Sequence, residues 1–388
     1  MKILVIAKNI NLNAAGIVYG SFLEELFTNG NNHIDLLTNT QYVANTNSGK
    51  VHTVPNQKEL TERLVKLLLI ITGKNFKNIN WFLATKKYIK KHFTNDNSYD
   101  WIISFVNGGE ESAAHVGLFI SKMNNAKFYI HMVDPIPPPK GWENHEVYRK
   151  KLFNGIKKPL QLCNLFSLSN KQMTSYQANL IKNIDKSFTL PNPVQSDKLI
   201  ELKRNTNSST YNYLFLGTSI TGARNPYKLF VAFSKVCEAY PDSRLFIYGN
   251  TRRLDTNKIP EKVKNKIIIE PFTDDINKVI ENSDCFIDID GDLEFDVFIS
   301  SKLQLYLSFN RPLVSITGAK SPSRLLLKNM NKSTVVSGFD TKKIESSLIK
   351  ARNIEMNKEF IAEREDFISV NNTKYLVSKM LNKLNNYL

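Results

Sequence analysis

Long apolar runs, clustered cysteines and acidic residues are all scarce in this chain of 388 residues. No apolar stretch approaches the roughly 20 residues of a membrane-spanning helix, and the apolar run after Met1 is too short for a signal peptide. Cys163, Cys237 and Cys285 are widely spaced and lack metal-ligand spacing. This pattern indicates that the three cysteines are small buried residues of a protein in a reducing compartment. These absences predict a cytoplasmic protein.

Acidic residues number 36 against 52 basic ones, which leaves a net charge of +16. Such an excess points to an anionic partner: nucleic acid, an anionic membrane, or phosphorylated substrates. The sequence lacks zinc-finger spacing, the aromatic and basic pattern of an RNA-recognition strand, and a basic region followed by heptads. We therefore expect no nucleic-acid partner.

The basic residues concentrate in two stretches that are also rich in apolar residues, 59–74 and 79–93. Both are typical of basic amphipathic helices, which can lie on an anionic membrane surface. An internal helix with a solvated lysine face would have the same pattern. In the second stretch one face at helical spacing is made of lysines, namely Lys86, Lys87, Lys90 and Lys91.

The chain length suits two domains, and a hydrophobic content of 42% with 23% charged residues predicts folded cores. Short apolar runs alternate with helical patterns, which indicates parallel sheets with helices on both faces. A polar linker separates a domain at 1–195 from one at 210–358, and we expect 359–388 to pack back on the first. The predicted strands are Lys2–Ala7, His33–Thr38, Asp100–Val106, Lys127–Val133, Leu165–Ser169, Ser187–Pro191, Tyr211–Gly217, Arg244–Gly249, Lys266–Pro271, Asp284–Asp290, Arg311–Thr317 and Ser333–Ser337.

The most informative segment lies between Leu214 and Phe233. An apolar strand there leads into a glycine-containing loop that ends with Arg224, and Asn225 and Pro226 are suited to start a helix. A helix N-terminus beside an arginine is suited to a phosphate or diphosphate. An ordinary strand, turn and helix with an exposed arginine is the alternative.

Several segments together resemble a GT-B glycosyltransferase, and specifically glycosyltransferase family 4. They are, in chain order, residues 14–16 (AAG), 187–194 (SFTLPNPV), 217–233 and 300–312 (SSKLQLYLSFNRP). The resemblance covers nearly the whole chain. It implies an α/β fold of two Rossmann-like domains with a cleft between them and a C-terminal helix that returns to the first domain.

The resemblance also implies where a nucleotide diphosphate sugar would bind. Gly16 and the basic residues of the second domain would hold the donor diphosphate, and the capping-box pattern of Ser301 and Gln304 predicts a helix start there. Leu305 occupies the position of the family's ribose-binding glutamate, so Glu294 and Asp296 are stand-ins. The diphosphate residues are Gly16, Arg224, Lys228, Ser301 and Lys302, and the nucleotide residues are Gly217, Thr218, Gly249, Glu294 and Asp296.

The first domain is expected to hold the acceptor. His131 and Asp134 lie at the predicted carboxyl end of a strand, near the position of the family's active-site histidine, which makes them catalytic candidates. A core histidine is the alternative for His131. Glu110 and Glu111 follow the glycines of another strand-end loop and are the acceptor-binding candidates.

Asp288, Asp290 and Asp292 mimic the Asp-X-Asp metal motif of another glycosyltransferase fold. Since basic side chains and helix N-termini neutralise the diphosphate in a GT-B enzyme, we expect neither a metal nor another cofactor. The resemblance implies a retaining transferase acting on a glycan or lipid-linked acceptor in cell-surface polysaccharide or lipopolysaccharide synthesis. A nucleotide-sugar epimerase, or a non-catalytic basic module that binds anionic membrane or nucleic acid, is the alternative.

Overall fold

The computed structural model describes residues 1–43, 49–56, 79–93, 98–194, 196–203, 209–217, 224–250, 254–271 and 275–387. The chain divides into two compact units. The first unit is Met1–Pro193 with Thr373–Leu388, and the second is Val194–Asn372. Within the described ranges, no helix combines the length and the apolarity that a membrane crossing requires.

The first unit is built on a seven-stranded parallel sheet in the order β3-β2-β1-β4-β5-β6-β7. Its central strands are buried along nearly their whole length, as expected when helices cover both faces. The strands are β1 Lys2–Ala7, β2 His33–Thr38, β3 Val51–Thr53, β4 Trp101–Val106, β5 Lys127–Met132, β6 Leu165–Leu168 and β7 Ser187–Thr189. The helices are α1 Ala14–Thr28, α2 Ile79–His92, α3 Ser112–Asn124, α4 Glu146–Leu162 and α5 Lys171–Ile181.

The second unit repeats the plan with a six-stranded parallel sheet in the order β10-β9-β8-β11-β12-β13. The strands are β8 Tyr211–Leu216, β9 Ser243–Tyr248, β10 Ile267–Glu270, β11 Cys285–Ile289, β12 Leu313–Ile316 and β13 Thr334–Ser337. The helices that follow Val194 are α6 Tyr227–Ala239, α7 Ile276–Glu281, α8 Ser301–Leu307, α9 Pro322–Leu326, α10 Thr341–Arg352, α11 Lys358–Ser369 and α12 Thr373–Asn385. Two short 3-10 helices, Thr256–Lys258 and Glu261–Lys266, precede β10.

The predicted fold class is confirmed, because both sheets are parallel, Rossmann-like and flanked by helices. Each strand predicted from the sequence is present, with small differences at its ends. The prediction missed β3, which has three residues, none of them buried. So short a segment carries no period that a sequence pattern could show.

The C-terminal helices divide between the units, although we expected 359–388 on the first domain. Helix α12 does pack there against α1, burying Leu376 and Met380 in the first core. Helix α11 instead belongs to the second unit. Its fully buried Arg364 donates hydrogen bonds from Nη2 to the carbonyl oxygens of Arg311 and Ser333. These bonds fix α11 beside β12 and β13.

Helix α2 confirms one of the two expected amphipathic helices, while 59–74 lies outside the described residues. Trp81 and Ile89 are buried, and Trp81 donates from Nε1 to the carbonyl oxygen of Val54. On the opposite face Lys87, Lys90 and Lys91 are exposed, whereas Lys86 lies over the ring of Phe119. The helix therefore joins the first core and keeps a solvated lysine face.

All three cysteines are buried and none forms a disulfide, in agreement with their expected role as small core residues. Burial raises the pKa of the Cys163 thiol to about 12, so that the thiol stays protonated.

Candidate active site

Opposite charges gather at the carboxyl edge of the second sheet, where β8 and β11 are neighbours. Arg224 lies beyond β8, and its Nη2 is 3.8 Å from Oδ1 of Asp290, the residue that follows β11. Asp290 is fully buried, whereas the Arg224 side chain keeps 23% of its surface exposed. The arginine is thus held by a buried carboxylate while part of its side chain remains exposed to solvent.

Asp290 is held by several donors besides Arg224. Its Oδ2 accepts from the hydroxyls of Ser321, at 2.8 Å, and Ser323, at 2.7 Å. Its Oδ1 accepts from the backbone N–H of Gly291 at 2.9 Å. With these donors the carboxylate is fixed in place as a counter-charge to Arg224. Among the residues that the structure describes, no group of three or more His, Cys, Asp or Glu side chains could hold a metal ion.

Asp288 and Lys302 form the second half of this charged cluster. Burial raises the pKa of Asp288 to about 6, and the charge of Asp290 adds to this increase. A hydrogen bond from Ser300 and the charges of Arg224 and Lys302 lower the pKa but only partly offset the increase. Burial, and then the charge of Arg224, lower the pKa of Lys302. The two cations therefore repel each other. An anion bound between them would relieve that repulsion.

Two glycines allow the ends of neighbouring strands to meet at this cluster. Gly249 follows β9 with φ of +145°, and a Cβ there would lie 2.1 Å from the carbonyl oxygen of Gly217. The N–H of Gly217 donates to the carbonyl oxygen of Tyr248 at 2.8 Å. A Cβ on Gly217 would stand 3.5 Å from Cε of Lys302, so the lysine stem passes over this glycine. The geometry brings Gly217, Gly249 and Lys302 together, as the sequence suggested.

The predicted capping box of Ser301 and Gln304 is wrong. Helix α8 has Ser300 as its N-cap, and Ser301 is an exposed first helical residue. The Ser300 hydroxyl bonds Asp288 and caps no N–H of the helix. Gln304 is buried inside the helix, so it does not reach back to the cap. The helix therefore begins one residue earlier than the pattern of Ser301 and Gln304 indicated.

Helix α6 starts close to its predicted position. The Asn225 side chain accepts from the N–H of Tyr227 at 2.9 Å, while Pro226 is the residue immediately before the helix. Lys228 is exposed on the first turn of α6 and lines a cavity that also includes Gly318 and Gly338. It is therefore not among the residues of the charged cluster.

The other residues predicted to bind the nucleotide sugar do not lie together. Gly16 lies inside α1, where a Cβ would come within 2.0 Å of the carbonyl oxygen of Asn9, so its lack of a side chain serves packing of the helix against the loop. Glu294 is exposed, and Asp296 is buried with Oδ1 accepting from the N–H of Phe298. Leu305 packs against an apolar cluster. Thr218 lies outside the described residues.

His131 is a core residue of the first unit. Its ring is fully buried between Phe22 and Phe105, with centroids 5.3 and 5.5 Å away, and Nδ1 lies 2.8 Å from Oγ of Ser167. Burial lowers its pKa to about 3, which keeps the imidazole neutral. His131 lies near the carboxyl end of β5, as expected, but its ring is buried in the core, which is the alternative that the sequence left open. Asp134, beyond that end, is partly exposed.

A buried polar cluster does lie at the ends of β1 and β4. Glu110 accepts from Nδ2 of Asn9 at 2.6 Å, and burial raises the pKa of its carboxyl group. Glu111 is also buried, with Oε1 accepting from the N–H of Gly109 at 3.0 Å. Lys8 is 1% exposed, and burial lowers its pKa to about 8 against the charges of both glutamates.

Tyr19 belongs to the same cluster through its hydroxyl. The hydroxyl is buried, has no hydrogen-bond partner in the described part of the chain, and faces the negative charges of Glu110 and Asp134. Burial and these charges raise its pKa well above the ordinary range. Sequence reasoning missed both Lys8 and Tyr19. A lysine directly after the apolar run of residues 3–7 was the available signal for Lys8.

No model of a known protein family matches this sequence, and no curated protein sequence matches it. Several solved structures are similar over nearly their whole length. WaaG, a glycosyltransferase involved in lipopolysaccharide biosynthesis, has a TM-score of 0.63 at 11% identity, covering 99% of both chains. The sucrose-phosphate synthase of Thermosynechococcus elongatus has a TM-score of 0.67 at 11% identity, covering 100% of this chain and 98% of that one.

A putative UDP-N-acetylglucosamine 2-epimerase from Listeria monocytogenes is also similar, with a TM-score of 0.58 at 11% identity over 100% of this chain and 97% of that one. At such low identity these likenesses concern the fold. The chain has the two-domain, Rossmann-like GT-B fold.

Replacing Asp288 with asparagine tests the charged cluster. Because the folded pKa of about 6 exceeds the ordinary 3.8, the folded protein holds this proton more tightly than the unfolded chain. The carboxyl group therefore lowers stability as pH rises between about 4 and 6, by on the order of 2–3 kcal/mol. Chemical denaturation should show that the free energy of unfolding falls less between these pH values in Asp288→Asn than in the wild type.

The matched control is Asp292→Asn, which removes an exposed carboxylate from the same segment. It should keep the wild-type pH profile. A profile of Asp288→Asn that coincides with wild type would contradict the assigned charge balance.

Proposed function

We propose that this protein is a retaining glycosyltransferase of family 4. It transfers a sugar from a nucleotide diphosphate sugar to a hydroxyl of a glycan or lipid-linked acceptor in cell-surface polysaccharide or lipopolysaccharide synthesis. The GT-B fold and the ordered family-like motifs support this assignment. The observation that carries it is the cation pair Arg224 and Lys302 at the carboxyl edge of the second sheet.

The pair suits the hardest step of such a transfer. Breaking the bond to the anomeric carbon loads negative charge on the departing nucleoside diphosphate. Arg224 is fixed by Asp290, and Lys302 is partly buried over Gly217, so both cations are in place before that charge develops. Preorganised positive charge stabilises a transition state more than water does.

The acceptor would use the polar cluster of the first unit. Two buried oxygens of this cluster have no hydrogen-bond partner among the described residues, namely Oε2 of Glu110 and the hydroxyl of Tyr19. Buried polar atoms without partners are costly, so hydroxyl groups of a bound sugar would stabilise them. We assign Glu110 and Glu111 to acceptor binding with Lys8 and Tyr19. Asp134 lies at the edge of this cluster.

The buried position of His131 excludes contact with substrate in this conformation. We therefore propose it as a residue that supports the core behind the acceptor cluster. The sugar transfer requires no cofactor in this proposal, and the enzyme acts in the cytoplasm, at the inner face of the membrane.

A nucleotide-sugar epimerase is the second candidate, and the similarity to the putative Listeria enzyme favours it. An epimerase would change the donor sugar without any acceptor. Mass analysis of the products after incubation with nucleotide sugars, with and without glycan acceptors, distinguishes the two activities.

Replacing Arg224 or Lys302 with alanine should impair catalysis. Loss of one charge-assisted contact to the diphosphate is expected to cost about 2–4 kcal/mol in the transition state, which is roughly 30- to 1,000-fold in rate. Turnover of the nucleotide sugar measures this. Lys235→Ala, which removes an exposed lysine from α6, is the control and should leave the rate unchanged. An unaltered rate in Arg224→Ala would refute the assignment.

Turnover should survive an excess of EDTA, because Arg224 and Lys302 would neutralise the diphosphate and the oxygens of Asp290 already accept from two serine hydroxyls and the N–H of Gly291. Activity is compared before and after chelation and dialysis. A loss that manganese or magnesium restores would show that the carboxylates bind a metal during catalysis.

The lysine face of α2 should draw the enzyme to anionic lipid. Each lysine near such a surface contributes on the order of 1 kcal/mol, screened by salt. Substituting glutamine at positions 86, 87, 90 and 91 should abolish salt-sensitive co-sedimentation with vesicles containing phosphatidylserine. Turnover on a short soluble acceptor should persist. If the wild type does not bind such vesicles and binds nucleic acid tightly, the membrane assignment is wrong and the positive charge binds nucleic acid.

A further inference from the structure

The second unit contains a cavity of about 930 Å³ whose lining shares no residue with the Arg224 and Lys302 pair. It opens at the carboxyl ends of β12 and β13 and at the first turn of α10. Gly318 and Gly338 form part of its wall, and a Cβ on Gly338 would meet nothing within 4 Å. A volume of this size accommodates a small metabolite.

Positive charge predominates in the cavity. Its lining includes four cations and two carboxylates, namely Lys228, Arg324, Lys342, Lys343, Asp292 and Asp340. Arg324 is fixed in place, since it donates to the carbonyl oxygens of Gly318, Thr317 and Ser337. The three lysines are exposed on the first turns of α6 and α10. They are free to turn toward an anion.

The start of α10 adds backbone donors to these lysines. Asp340 caps this helix of 12 residues by accepting from the N–H of Lys343 at 3.0 Å. The preceding N–H groups of the first turn belong to Thr341 and Lys342, which also line the cavity. The N-terminal end of a helix of this length attracts anions.

Thr317 provides the independent sign of a ligand. It follows β12, lines the cavity and is 0% exposed, yet its Oγ1 has no hydrogen-bond partner among the described residues. A buried hydroxyl without a partner is unfavourable by about 1–3 kcal/mol, and a ligand oxygen in the cavity would satisfy it.

From the cavity, its charge and this hydroxyl, we propose that the second unit binds a small phosphate-bearing molecule at a site of its own. Lys342 and Lys343 at the start of α10, together with Lys228, hold the phosphate, and Thr317 donates to it. Binding there does not depend on the proposed sugar transfer, so the site would operate in a transferase or in an epimerase.

The test uses the wild-type full chain as the parent, because removing Arg224 and Lys302 would leave Asp288 and Asp290 buried without their cations. Inorganic phosphate and glucose 6-phosphate are the probes, and calorimetry measures their binding at constant ionic strength. Both should bind saturably, whereas glucose should not. Adding Lys342→Gln and Lys343→Gln should weaken binding by about tenfold or more, since two charge-assisted contacts are lost.

Thr317→Val removes the hydroxyl at similar volume and should weaken binding by about threefold to tenfold. The control Lys350→Gln, in the last turn of the same helix, should have no effect. The proposal is overturned if neither probe binds saturably, or if the lysine variants bind as tightly as their parent. Circular dichroism of each variant shows whether it is folded.

Discussion

The burial of two carboxylates at the end of β11 is the constraint on which the second unit depends. Asp288 and Asp290 are at most 1% exposed, and buried charge is tolerated only with partners. Arg224, Lys302, three serine hydroxyls and the N–H of Gly291 provide them. Two cations are thereby fixed at a sheet edge, and the Arg224 side chain keeps 23% of its surface exposed, so that it can contact an anion. A diphosphate is the ligand whose charge and size suit that arrangement.

The fold was predictable because parallel strands buried on both faces leave a strong signal. Runs such as Lys2–Ala7 and Cys285–Ile289 are almost wholly apolar and are separated by helical patterns. Helix α11 could not be assigned correctly, since its attachment depends on Arg364 reaching carbonyl oxygens far away in the sequence. No local pattern reveals which core an amphipathic helix will join.

The site was less predictable than the fold. The positions of Gly217, Gly249 and Lys302 were indicated by the family resemblance, and that of Arg224 followed from a strand end and its loop. The environment of His131 did not, because its neighbours Phe22 and Ser167 come from distant elements. The start of α8 did not either, since its N-cap is Ser300, beside the buried Asp288, and not Ser301, which the local pattern indicated. In each case a tertiary contact outweighs a local preference.

Binding of nucleotides tests the central claim most directly. Calorimetric titration of the wild-type protein with UDP, GDP, ADP and the corresponding monophosphates measures whether the cation pair recognises a diphosphate. We predict that at least one diphosphate binds at a 1:1 ratio and about tenfold or more tightly than its monophosphate, because the second phosphate adds charge-assisted contacts. Equal affinity for the two, or no binding of any nucleotide, would contradict the account.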